Sequence, residues 1–179
     1  DIHPGLPAFE IVGFGDTVVR EARERVRAAV KNAGFSFPCE KIVVNLAPAE
    51  ARKEGSRFDL AISLGILCAS GQLAPERLGG WCAVGALSLD GSVRPVSGLL
   101  PILLSAAERG LTKFLVPRAN AAEASYPDGI ECVAVGSLDE CVRFLRGETA
   151  LSPVPHRSGY AAAAAGEGAD DFRYVAGQK

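Results

Sequence analysis

Lys53-Glu54-Gly55-Ser56-Arg57-Phe58-Asp59-Leu60 joins two runs of different character. Before it, Lys41 to Leu46 is β-branched and apolar and reads as a strand. After it, Leu60 to Ala69 is too apolar for a surface helix. Leu60, Ile62, Leu64, Ile66 and Leu67, with Gly65 and small residues between them, leave no polar stripe, so this helix is expected at the centre of the core. Asp59 is placed to cap it, and Gly71 stops it. The first N–H groups of a helix lack internal partners, and its dipole favours negative charge there. A hydroxyl (Ser56), two cations (Lys53, Arg57) and a carboxylate (Asp59) meet at that point, the first candidate site of the chain.

Upstream, the Pro4-Gly5-Leu6-Pro7 turn precedes a short strand from Ala8 to Phe14. Asp16 or Thr17 then caps a helix to about Asn32, closed by Gly34. Val19, Ala22, Val26, Ala29 and Val30 share one face of it; Arg20, Glu24, Arg27 and Lys31 share the opposite one. That basic face either contacts phosphate or is a solvated surface with Glu21 pairing Arg25, the commoner use of a charge run.

Downstream, a Pro75-containing loop leads to a strand from Trp81 through Val84 and onward to Leu89, with Trp81 packing at its start. Asp90-Gly91 is the strongest hairpin signal in the chain, returning through Val93 before Pro95 ends pairing. Gly98 to Arg109 reads as a helix with Pro101 in its first turn, closed by Gly110. Phe114 to Val116 is a strand, and Pro117 to Asn120 leads into an Ala-rich helical turn. Ile130 to Val135 is a strand. Ser137 caps a last helix through Leu145, with Asp139 and Glu140 suited to its first turn. Alternation of this kind predicts an α/β (α+β layered) domain over residues 1–147, with a mixed sheet and packed helices. Residues 148–170, with Pro153, Pro155, Ser158-Gly159 and five alanines from Ala161 to Ala165, read as a flexible linker. Residues 171–179 read as the start of something further, and with Asp1 in place of a methionine both ends look cut.

The chain has 179 residues, 48% hydrophobic and 22% charged, enough for one well-filled core. A net charge of -2 argues neither for nor against nucleic acid, because local patches matter more than the sum. No apolar run reaches membrane-spanning length, and no stretch reads as the n-region or h-region of a secretory leader. Five cysteines, never two or three apart, give no zinc or redox motif. Cys68, Cys82 and Cys132 lie in apolar runs, as free buried thiols of a reducing cytoplasm would.

Searches for chemistry return little. No phosphate-binding GxxxxGK[ST] loop occurs, and Gly13-Phe14-Gly15 lacks the rest of a dinucleotide fingerprint. His3 and His156 lie in the end regions, and the carboxylates are scattered, which leaves no His-based triad or metal set. Ser56 activated by Lys53 remains, as in serine–lysine hydrolases. A lysine base has to be desolvated to reach a useful pKa, and Lys53 sits in a polar segment.

Several stretches in order carry a resemblance: Lys53 to Ala61; Leu87-Ser88-Leu89-Asp90-Gly91-Ser92-Val93-Arg94-Pro95-Val96; Pro4 to Phe9; and Arg20 to Arg27. Over residues 1–147 the chain resembles the amino-terminal domain of the ComM/YifB family of magnesium-chelatase-like AAA+ proteins. Ala86 departs from it, standing where the family more usually carries Glu. Asp171 to Gln178 resembles the lead-in to the family's ATPase module. The same domain is similar to the proteolytic domain of Lon and the Lon-like domain of RadA/Sms, which implies a Lon-protease-domain-like, ribosomal-protein domain-2-like fold. Lon's nucleophile follows K-D-G-P; with Lys53-Glu54-Gly55 on K-D-G, Ser56 replaces the proline and Arg57 the serine. Lon's catalytic lysine follows G-G-L; here Ser97-Gly98-Leu99 is followed by Leu100.

The resemblance therefore implies a fold without the chemistry, and no catalytic, cofactor or metal residue in this chain. It implies ATP and magnesium in the absent AAA+ module, a homo-oligomer (a hexamer) and DNA as partners, no membrane, a cytoplasmic location, and branch migration in natural transformation. Arg20, Arg23, Arg27 and Lys31, then Arg57, are the candidates for phosphate contact. The alternatives are a degenerate peptidase using Ser56 with Lys53, and a metal-chelatase-related ATPase subunit. Against the second stands the lack of any His/Cys/carboxylate cluster.

Overall fold

The computed structural model describes residues 1–12, 16–46 and 56–157, with the side chains of 16–20 outside that set. Along the chain run β1 (Ile2–His3), β2 (Ala8–Val12), α1 (Asp16–Asn32), β3 (Lys41–Asn45), α2 (Asp59–Ala69), α3 (Pro75–Leu78), β4 (Trp81–Ala83), β5 (Ala86–Leu87) and β6 (Val93–Arg94). Then come α4 (Leu99–Ala107), β7 (Lys113–Pro117), a 3-10 turn (Arg118–Asn120), α5 (Ala121–Ala124), β8 (Glu131–Val135) and α6 (Leu138–Arg146). The fold is mixed α/β in the layered α+β manner. One sheet has the order β1-β3-β2, a second β4-β7-β8, and β5 with β6 forms a small hairpin. The first sheet is mixed, since β1 runs antiparallel and β2 parallel to β3. The second is wholly parallel.

The helix faces follow the sequence. Ala22, Val26, Ala29 and Val30 of α1 are buried, and α1 ends where Phe35 N–H reaches back to the Val30 carbonyl at 3.1 Å. On α2, Leu60, Ile62, Leu64, Ile66 and Leu67 are buried together, so it is the central core helix. A second apolar cluster lies between α4, β7 and β8, around Leu99, Leu103, Phe114, Val116 and Cys132. Trp81 begins β4 and packs edge-on against Phe144 of α6 at 5.4 Å. Burial pushes the thiol of Cys132 up to about 11 and that of Cys141 up to about 12.

Three expectations are corrected. The run from Trp81 to Leu89 is two strands in two sheets. Gly85 breaks it, donating its N–H to the Arg57 carbonyl (2.9 Å) and accepting the Leu60 N–H (3.0 Å). Those bonds tie it to the α2 entrance, away from any strand ladder. The Pro75 loop contains α3, because Pro75 stands at the first helical position where its missing N–H costs nothing. Asp59 does not cap α2: Phe58 holds the N-cap position without a side-chain bond, and the Asp59 carboxylate turns to Arg25.

The described chain after residue 147 also makes contacts with the domain. Leu151 joins the first core and Val154 the second; Pro153 bridges to Val133, and Val154 N–H reaches the Cys132 carbonyl at 2.7 Å. His156 Nε2 lies 2.8 Å from Asp128. The remainder of the expected linker and residues 171–179 lie outside the described residues. The hairpin forms as expected, with Leu87 opposite Val93 and Gly91 at φ 84°. A Cβ at Gly91 would press on the Ala29 carbonyl at 3.2 Å.

Candidate functional site

The entrance to α2 is built from backbone outward. Asp59 N–H bonds the Ser56 carbonyl at 3.0 Å, while Gly85 fastens Arg57 and Leu60 from the other side. Thus held, Arg57 is half-buried and lines a cleft of about 540 Å³ together with Ser97, Gly98, Pro101, Ile102 and Arg109. Chain regions forty residues apart, those aligned with the two halves of the Lon dyad, meet in one cleft. Arg57 and Arg109 make its cationic groups, and Pro101, Ile102 and Leu111 its apolar surface.

The second half of that cleft is positioned by a pair the sequence reading passed over. Asn120 is buried, accepts the Val96 N–H at 3.0 Å and donates to the Val96 carbonyl at 2.9 Å. It also donates to Glu123 Oε1 at 2.9 Å, and Glu123 Oε2 accepts the Leu100 N–H at 3.2 Å. A carboxylate thereby satisfies one of the orphan donors of α4, whose N-cap is Gly98 at φ 69°. The signal was an Asn followed three residues later by Glu, too common to single out.

Asp59 sits one residue from this cleft yet faces inward. Its carboxylate accepts from Arg25 Nε at 2.9 Å and Nη2 at 3.3 Å, and from Leu87 N–H at 3.3 Å. Burial outweighs the Arg25 guanidinium and the Leu87 hydrogen bond, holding the carboxyl above the usual carboxylate range. Arg25 also lies 3.7 Å from Glu21, the pairing expected from sequence.

The other phosphate candidates lie elsewhere. Arg23 and Arg27 line a small cleft of about 100 Å³ with Phe9, Phe37, Glu24 and Glu40. Arg27 lies over the Phe37 ring at 5.5 Å, which holds the guanidinium by cation–π attraction. Lys31 is exposed beyond them. The Arg20 side chain and Lys53 lie outside the described residues, so the Ser56–Lys53 pair has no geometry here. Among the described residues, no three His, Cys, Asp or Glu side chains gather as a metal site would need. None of their helices is long and apolar enough to cross a membrane.

A mixed α/β layered domain with this cleft at the entrance of its central helix defines the class. Residues 1–120 match the family described as subunit ChlI of Mg-chelatase, and the chain belongs to that AAA+ ATPase-related family. Within it the chain is similar to the competence protein ComM of Haemophilus influenzae, 42% identical over 147 residues, which cover 82% of this chain and 29% of that protein. It is also similar to the uncharacterized protein YifB of Escherichia coli, 40% identical over 150 residues, 84% of this chain and 29% of that one. At lower identity, 27% over 128 residues, it is similar to the archaeal Lon protease of Methanothermobacter thermautotrophicus, covering 69% of this chain and 20% of that protein. The chain spans about 30% of the length of the curated relatives it matches.

Proposed function

We propose that this chain is the non-catalytic, Lon-like domain of a AAA+ ATPase, and that it serves a hexameric DNA motor of the kind implied by the resemblance to ComM, one that drives branch migration in natural transformation. The observation that carries this reading is the Arg57 cleft. The position aligned with the nucleophile holds a guanidinium that is always protonated and cannot attack. The position aligned with the base holds Leu100, whose backbone N–H is tied to Glu123 and whose side chain has no proton acceptor. A concerted pair loses most of its catalysis when either member goes. What remains is a cleft with two arginines, suited to anions. ATP and magnesium act in the AAA+ module, outside this chain.

DNA contact in this reading falls on the α1 face of Arg20, Arg23, Arg27 and Lys31, with Arg57 as a separate contact. Two features support α1: Arg27 is braced on Phe37, and Lys31 is free to reach a phosphate. Glu24 and Glu40 beside Arg23 weaken the local field, so modest affinity and strong salt dependence are expected.

The test is a salt series of duplex and branched DNA titrations. Replacing Arg23, Arg27 and Lys31 together by Ala should lower the log–log salt slope by about two to three, and Arg57→Ala by about one. Unchanged slopes in both variants would remove DNA contact from this domain. A second measurement addresses the enzyme question. The chain should release no product from peptide substrates, and Ser56→Ala should leave every rate as it was. A covalent adduct of Ser56 with a serine-directed inhibitor, lost in Lys53→Ala, would instead establish a peptidase.

A further inference from the structure

Helix α5 (Ala121–Ala124) is a single turn, too short to stand without tertiary support. Its own closing bonds are long: the Ser125 and Tyr126 N–H groups lie 3.4 Å from the Ala122 and Glu123 carbonyls. Firmer contacts come from a segment beyond α6. Arg157 N–H donates to the Ser125 carbonyl at 2.9 Å. His156 Nε2 lies 3.1 Å from the Tyr126 carbonyl and 2.8 Å from Asp128 Oδ1. Both of those neighbours are acceptors, so Nε2 carries the proton.

That segment, residues 151–157, is seated at several points. Pro153 bridges antiparallel to Val133, and Val154 N–H holds the Cys132 carbonyl at 2.7 Å, so it lies along the edge of β8. Val154 packs into the second apolar cluster, which also holds Leu99 and Leu103 of α4 and Ala124 of α5. The other side of α5 is tied to the Arg57 cleft. Asn120, just before α5, clasps Val96, and Glu123 Oε2 accepts the Leu100 N–H at 3.2 Å. Leu100 stands in the first turn of α4, where an N–H has no partner within the helix. Its bond to Glu123 is what satisfies it.

We propose that residues 151–157 form a strap that regulates the Arg57 cleft through α5. With the strap seated, α5 is closed and Glu123 holds the first turn of α4, which carries the Gly98 and Pro101 wall of the cleft. With it lifted, α5 loses its partners at Ser125 and Tyr126 and the cover over Ala124; the turn opens and releases Leu100. The chain continues past Arg157, and tension along it is the signal that lifts the strap. A single turn is either closed or open, and both the strap and the clamp on α4 bias that one equilibrium. The coupling is therefore reciprocal: releasing Leu100 loosens the strap. This goes beyond the DNA reading and does not rest on it, because it concerns the wall of the cleft whatever anion enters.

The test follows backbone amide exchange by NMR in the 179-residue chain and three variants. Val154→Asp places a carboxylate in the second cluster and unseats the strap, and should speed exchange at Leu100 by about tenfold or more. Arg157→Pro removes only the donor to Ser125, from a residue whose side chain is exposed, and should speed it by about threefold or more. Ile62 N–H, bonded to the Phe58 carbonyl at 2.9 Å in α2, should be unchanged in Arg157→Pro. Glu123→Ala should speed exchange at Leu100 and, by reciprocity, at Val154 by about threefold or more. Adding Arg157→Pro to Glu123→Ala should then change Leu100 no further. Unchanged Leu100 exchange in Arg157→Pro, or unchanged Val154 exchange in Glu123→Ala, overturns the proposal. Equal acceleration at Ile62 and Leu100 in Arg157→Pro means general loosening of the fold and overturns it as well. Should Val154→Asp fail to fold, the other two variants decide.

Discussion

Arg25→Met should destabilise the fold by about 3 kcal/mol at neutral pH, and Asp59→Asn by only about 1 kcal/mol. The asymmetry follows from where the two groups sit. The Asp59 side chain is 2% exposed, whereas that of Arg25 is 24% exposed and has Glu21 as a second partner. Removing the arginine strands a carboxylate in the core; removing the carboxylate charge leaves a guanidinium that still reaches water. The cost lies toward the lower end of that for a broken buried pair because Arg25 is not fully enclosed.

The pH dependence has a definite sign. Burial raises the Asp59 pKa above its unfolded value, so the contribution of this group is present below about pH 3.9 and is lost as pH rises through the folded value. Arg25→Met raises that folded pKa further, so its cost should shrink as pH falls and the carboxyl takes a proton. Asp59→Asn should abolish this part of the pH profile. Urea unfolding of the three proteins at pH 4.5 and 7.5 checks both statements. Equal costs at pH 7.5, or a cost of Arg25→Met that grows toward acid, would show that the pair is not what joins α1 to the α2 entrance.

This ion pair also marks where sequence reasoning ran out. An Asp just before an apolar helical run has a local use as a cap, and local periodicity offers no other. Its actual partner, Arg25, is 34 residues away, and that distance closes only once α1 and α2 pack. The faces of α1 and the all-round burial of α2 were legible because they depend on spacing within one helix. The split of Trp81 to Leu89 was not. That run is apolar on both sides of Gly85, and the break comes from two backbone bonds to the α2 entrance. The Arg57 cleft falls between these cases. Alignment with Lon related residues 57 and 100 by analogy, while Arg109 in the turn after α4 and the Asn120–Glu123 clamp become visible only in three dimensions.

Leu60→Ala should cost about 3 to 4 kcal/mol, the second large effect expected of this fold. Leu60 is fully buried in the first turn of α2. Its backbone N–H holds the Gly85 carbonyl at 3.0 Å, and its side chain lies against the space over the Gly85 α-carbon. The backbone bond survives the substitution, so the loss is packing and the cavity left behind. Gly85→Ala acts on the same contact from the other side. Its new methyl would lie 3.0 Å from Val93 Cγ1 and 3.4 Å from Leu60 Cδ2, and crowding of this kind costs about 1 to 3 kcal/mol. In the Leu60→Ala background one of those two neighbours is gone, and the Gly85 methyl occupies part of the vacated volume. The double variant should therefore lose less than the sum of the single losses, by about 1 kcal/mol. Denaturant unfolding of the four proteins measures the coupling. Strict additivity would mean that Gly85 is crowded by Val93 alone, and that the strand break and the α2 entrance are not packed as one unit.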